Sequence, residues 1–275
     1  MKKFLALIIV AVTVTGCQTN PVTGRSQVMI FSEETAIAQS KEAYSRMLKP
    51  LADKGKVNND AEVLARVETI TSRIVAQAVK YRPESENWNW SIRVIDDPET
   101  VNAWCMAGGR MAIYTGLIEK LDATDDEIAQ VMGHEISHAL LGHTVERMSR
   151  AVLIQAGIIA VAVTQESDTV VQGAALAAVV ALQLPNSRTA EAEADVVGIE
   201  LAAKAGYDPR AAETLWKKMA EESGAGESRF DFLSTHPAPV KRMETLRELA
   251  PKMMVYYEDA APRPTYAINT SPPAP

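Results

Sequence analysis

The chain has 275 residues, 47% of them hydrophobic, with a formal net charge of −7, two cysteines and four histidines. Such a length suits one domain with extra segments at its ends and leaves enough apolar material for a core. The acidic balance excludes a nucleic-acid binder that works through a basic stripe, the cysteine count excludes a disulfide-dense scaffold or a four-cysteine zinc knuckle, and the apolar content excludes wholesale disorder.

In chain order, residues 1–16 read as a secretory signal, with Lys2 and Lys3 ahead of an apolar run from Phe4 to Val14. The run is about half of the roughly 20 residues that a membrane span requires. Val14-Thr15-Gly16-Cys17 resembles the lipobox of bacterial lipoproteins. That resemblance implies cleavage before Cys17, a lipid on Cys17 and attachment to a membrane. Gln18 resembles the sorting residue of lipoproteins sent to the periplasmic side of the outer membrane. Cys105 then has no intramolecular partner and reads as a small buried hydrophobe or as a reactive thiol.

Residues 17–57 read as a turn-rich tether followed by an N-terminal helix from Glu33 to Leu48. Ala61 to Val79 forms a second helix, since Val63, Val67, Ile70, Ile74 and Val75 recur at helical spacing. Alternation around Trp90, Ile92 and Val94 gives a short strand, and Gly108 to Tyr114 a second one entered through glycines. Thr124-Asp125-Asp126-Glu127 is a capping box that opens a helix through Val131 and His138 towards Met148.

Ala151–Thr164 and Val170–Leu184 are apolar but short, and Gln155, Gln172 and Gln183 interrupt them. They read as buried or amphipathic helices covering the site, with a transmembrane hairpin as the alternative. Asp208-Pro209 and Pro239 each start a further helix. From Glu258 the chain has five prolines in 18 residues, so 258–275 reads as a disordered tail behind a domain spanning 58–257. The expected fold is α+β, mainly helical, with a small sheet beside the helix that carries His134.

His134-Glu135-Ile136-Ser137-His138 is the most specific signal. Two histidines four apart share a helix face and can offer imidazole nitrogens to one metal, for which zinc is the natural candidate. Such a site needs a third protein ligand and an open position for water. A third histidine six residues after His138 is absent, because Thr144 stands there and Leu141 replaces the glycine of that pattern. On one continuous helix His143 lies about 140° from His138, pointing away in a structural or solvent-exposed role. The remaining source is the alanine-rich helix Ser187–Asp195, where Glu191 and Asp195 share a face and Glu193, turned to the other side, reads as a solvated acid.

These motifs resemble the zinc metallopeptidase family that includes the CAAX prenyl endoprotease and HtpX, with bacterial lipoprotein and periplasmic members such as LoiP and BepA as the nearer relatives. The likeness runs from about Asn58 to Leu249. It rests on Asn102-Ala103-Trp104 before a glycine-led strand, the His134–His138 helix, Arg188-x-x-Glu191-x-x-Ala194-Asp195, and Thr235-His236-Pro237. It implies a zincin-like (gluzincin) domain holding one Zn2+ on His134, His138 and Glu191. Glu135 becomes the general base, Asp195 a partner of a ligand imidazole or a proton donor, and His236 a residue that contacts the metal or stabilises the transition state.

The implied activity is a lipid-anchored metalloendopeptidase, a hydrolase of protein and peptide substrates in envelope quality control, with outer-membrane assembly partners as candidates. A chaperone-like or binding lipoprotein with a structural or latent zinc site is the alternative. The strand Gly109–Tyr114 is a candidate for binding substrate by backbone pairing, against the plainer reading of a core strand.

Overall fold

The computed structural model describes residues 17–20, 22–164, 167–178, 184–223, 232–233, 236 and 240–271. The signal at 1–16, Gln183, and Thr235, Pro237 and Pro239 lie outside them. Two short antiparallel strands, β1 (Cys17–Thr19) and β2 (Ser26–Val28), form an N-terminal hairpin. Helices α1 (Glu33–Ala52) and α2 (Ala61–Tyr81) follow, capped by Ser32 and Asp60, whose side chains accept from backbone N–H groups of the first turn.

A three-stranded sheet comes next, built from β3 (Ser91–Ile95), β4 (Ala103–Met106) and β5 (Arg110–Tyr114) in the order β3-β5-β4. β5 pairs in parallel with β3 and antiparallel with β4. All five residues of β3 are buried, which explains why Ile95 spoils a simple alternation: the strand is covered on both faces. Because β5 is the central strand, its backbone is committed on both sides. The plainer core-strand reading of Gly109–Tyr114 therefore holds, and β4 is the edge that can accept another strand.

The remainder is helical: α3 (Thr115–Lys120), α4 (Asp125–Leu140), α5 (His143–Thr164), α6 (Asp168–Ala178), α7 (Leu184–Lys204), α8 (Ala211–Ser223) and α9 (Val240–Tyr257). The architecture is thus mainly helical with small sheets. Thr124 and Glu127 make the reciprocal capping box that starts α4. The helix expected to run on to Met148 instead stops at Leu140, because Gly142 takes a left-handed φ of +67° and α5 begins again at His143.

Glycine also sets the closest helix contact. A Cβ on Gly133 of α4 would lie 2.7 Å from the Gly198 carbonyl oxygen of α7, and one on Gly198 would lie 2.7 Å from the His134 nitrogen. Backbones therefore touch where α4 and α7 cross, which brings the Glu191 face of α7 against the His134 face of α4.

Two expectations change. Among the described residues, none of the stretch from Ala151 lines the cleft at the site. The first turns of α5 line the cleft through Thr144, Arg147 and Arg150, while Val152, Ile159, Val163, Val170 and Leu176 are exposed. No described helix is long and apolar enough to cross a membrane.

The segment after α9 is not a free tail as far as Ser271. Arg263 donates to the carbonyls of Lys204, Tyr256, Tyr257 and Asp259. Asn269 bonds with Trp90 and Ile92 along the outer edge of β3, and Asn58 donates to Thr270. Composition signals the lack of large side chains here, but this strap is ordered by backbone hydrogen bonds, which composition does not register.

Candidate metal centre

Helix α4 places His134 and His138 one turn apart, and α7 supplies Glu191 opposite them. Ile136, between the two histidines in sequence, is fully buried in the apolar core and anchors that part of α4. The third histidine of the cluster is His236, which follows Phe232 and stacks on its ring at 4.7 Å between centroids.

The candidate ligand atoms of His134, His138, Glu191 and His236 all lie within 4.8 Å of one another. His134 Nε2 is 3.0 Å from His138 Nε2 and 3.3 Å from His236 Nδ1. Glu191 reaches each of these imidazoles, at 3.4 Å from His134 and His138 and 3.0 Å from His236.

This donor set fits zinc. Three imidazoles and a carboxylate are its usual ligand types, and nitrogen lone pairs facing each other at such distances need a shared cation or proton. Beside them Glu135 is buried, and its Oε1 has no hydrogen-bond partner among the described residues. It lies 3.4 Å from His236 Nε2. An unsatisfied buried carboxylate oxygen is costly in a purely structural role.

The outer nitrogens of both α4 histidines are engaged. His134 Nδ1 is 3.1 Å from Asp195 Oδ1, so Asp195 accepts its proton and leaves Nε2 for a metal. Asp195 is itself gripped by Arg242, through Nε at 2.6 Å and Nη2 at 2.8 Å. Arg242 also reaches Glu191 at 2.9 Å and stacks over Trp216 at 4.3 Å. No local motif marks Arg242, which comes from a separate helix 47 residues after Asp195.

His143 does not point away. The break at Gly142 swings it back, so that its Nδ1 lies 2.9 Å from His138 Nδ1 and its Nε2 lies 3.0 Å from Glu193 Oε2. Glu193, expected to be solvated, is partly buried and also accepts from Arg25 Nε at 2.8 Å. The His143 expectation fails because it assumes a continuous helix through Gly142, and the Glu193 expectation fails with it, since His143 is the partner that Glu193 gains.

Burial and Arg242 oppose a charge on His134, yet hydrogen bonds to Asp195 and Glu191 raise its pKa to about 9. Burial and the neighbouring His134 push His138 well below its ordinary value. Burial opposes the Glu193 charge, but hydrogen bonds from His143 and Arg25 bring its pKa down to about 2. Burial, then the Glu135 charge, pushes the Cys105 thiol well up, which favours the buried-hydrophobe reading over a reactive thiol.

A cleft of about 650 Å³ opens onto the cluster, lined by Glu135, His138 and Glu191 and by the whole of β4. Its size and its strand edge suit an extended peptide.

Residues 62–250 match the sequence family described as Peptidase family M48. Over 259 residues the chain is 31% identical to the mitochondrial metalloendopeptidase OMA1 of Bos taurus, an alignment that covers 90% of this chain and 49% of that protein. It is 27% identical over 263 residues to the metalloprotease LoiP of Escherichia coli, and 26% identical over 254 residues to the metalloprotease YcaL of the same organism. Each of these two alignments covers 90% of this chain and 96% of the relative. The chain spans about half the length of the OMA1 protein and nearly all of LoiP and YcaL.

Proposed function

The chain belongs to peptidase family M48, and from that premise we propose that it is a lipid-anchored zinc metalloendopeptidase of a bacterial envelope, working in protein quality control. The observation that carries the peptidase reading is the pairing of a four-donor cluster with buried Glu135, whose Oε1 accepts no hydrogen bond among the described residues.

His134, His138 and Glu191 would hold the zinc and leave a position open for water, with His236 beside them from the segment after Phe232. When bound, zinc supplies a Lewis acid that polarises the peptide carbonyl and acidifies water. Glu135 takes a proton from water and returns it to the leaving amine. Asp195 fixes the His134 tautomer, Arg242 keeps Asp195 ionised, and its contact with Glu191 holds that carboxylate in place. His236 Nε2, near Glu135, is positioned to donate to the oxyanion that develops on the carbonyl. The open edge of β4 pairs with the substrate backbone, which gives endopeptidase activity with loose side-chain preference.

Support for the anchor comes from the lipobox-like run ending at Cys17, an exposed residue at the start of the N-terminal hairpin. Support for the envelope role comes from that same lipobox-like run, and the likeness to the Escherichia coli metalloproteases LoiP and YcaL along nearly their whole length supports the peptidase activity. The test is hydrolysis of casein by the purified chain, with and without a zinc chelator. Loss of cleavage on chelation and its return with added zinc are expected, and cleavage that persists without zinc contradicts the reading. Labelled fatty acid should enter the parent chain and not Cys17→Ala; equal labelling of both would contradict the anchor.

A further inference from the structure

We propose that the N-terminal hairpin is a working part of the metal centre, acting through Arg25, Glu193 and His143 as positioning residues for His138. The inference rests on the zinc reading above and concerns how the second histidine ligand is held.

With both rings neutral, as metal binding through His138 Nε2 requires, the hydrogen-bond chain has only one sense. Glu193 is an acceptor and takes the Nε2 proton of His143 at 3.0 Å. That leaves His143 Nδ1 as an acceptor, which takes the Nδ1 proton of His138 at 2.9 Å. His138 Nε2 is then without a proton and faces His134 Nε2 at 3.0 Å, inside the donor cluster. Asp195 does the same for His134 directly, whereas His138 is served by a carboxylate acting through an intervening imidazole.

Arg25 fixes the far end of this chain. Its Nε donates to Glu193 at 2.8 Å, while its two terminal nitrogens grip both oxygens of Glu146 at 2.9 and 2.7 Å. The hairpin that carries Arg25 is itself seated on the end of α4. Asn20 and Gln27 both donate to the Leu141 carbonyl, at 2.8 and 2.9 Å, satisfying a helix-end acceptor that the turn at Gly142 leaves open. Asn20 and Gln27 are almost fully buried, so this contact is part of the core rather than a surface touch.

The experiment measures zinc affinity of the full chain by competition with a chromophoric chelator, alongside the visible spectrum of the cobalt-loaded protein. His143→Leu should weaken zinc binding by about tenfold or more, and Glu193→Ala and Arg25→Met by several-fold, with a changed cobalt spectrum. His143→Gln should recover much of the affinity, because its amide oxygen can accept from His138 Nδ1. In the His143→Leu background, Arg25→Met should have little further effect.

Unchanged zinc affinity in His143→Leu, or an Arg25→Met effect of equal size with and without His143, overturns the proposal. If His143→Leu fails to fold, Glu193→Ala, which leaves no acceptor for His143 Nε2, supplies the reading: weakened binding supports the chain and unchanged binding overturns it. A parent chain that binds no zinc overturns the proposed function instead, so the two failures are distinguishable.

Discussion

His138 and His143, five residues apart, meet nitrogen to nitrogen at 2.9 Å because the helix between them ends at Gly142. A continuous helix would turn the second ring away by about 140°. The left-handed φ of +67° at Gly142 is therefore part of the site's construction. Gly142→Ala should cost about 1 kcal/mol or more through backbone strain, measured by chemical denaturation. Unaltered stability would show that the turn tolerates a side chain.

The crossing of α4 and α7 at Gly133 and Gly198 gives a sharper test of packing. Gly198→Ala meets backbone atoms of His134 that cannot swing aside. It should cost about 1–3 kcal/mol and lower zinc occupancy by displacing Glu191 from the α4 histidines. Full occupancy at parental stability would contradict this account of how the ligands are brought together.

Arg242 faces two buried carboxylates, Asp195 and Glu191. Arg242→Met leaves both without that partner and should destabilise the metal-free protein by about 3–5 kcal/mol. With zinc present Glu191 has a second cation, so the loss should be smaller. Denaturation with and without zinc checks the difference, and equal losses would count against it.

The raised pKa of His134, about 9 against an ordinary 6.5, fixes the sign of a proton linkage. In the metal-free protein its charged form contributes stability that is fully present below pH 6.5 and lost as the pH rises through about 9. Zinc requires the neutral ring, so binding at pH 7 should release about one proton, and affinity should rise with pH towards 9. Calorimetry in buffers of different ionisation enthalpy measures the release. No proton release would contradict the assignment. Glu193 has the opposite sign: its contribution is present above pH 4.5 and lost as the pH falls to about 2.

Much of the centre is legible in the sequence because it is local. The capping box at Thr124 places a helix under His134 and His138, and the four-residue spacing of Glu191 and Asp195 puts both on one face. Gly142 is a legible stop signal, but where His143 then points depends on the direction in which α5 restarts, which only the packed structure fixes. Arg242 and Arg25 have no local signal, since their partners lie 47 and 168 residues away and only the tertiary fold joins them. The strap at Arg263–Thr270 is hidden for a related reason: its order comes from helix ends and a sheet edge elsewhere in the chain.

The central claim is that Glu135 acts on water beside a metal held by His134, His138 and Glu191. Its most direct test is Glu135→Gln, assayed for zinc content and for peptide hydrolysis in one preparation. The account predicts parental zinc content with hydrolysis reduced by about 10²-fold or more. Hydrolysis at the parental rate by zinc-loaded Glu135→Gln would contradict it.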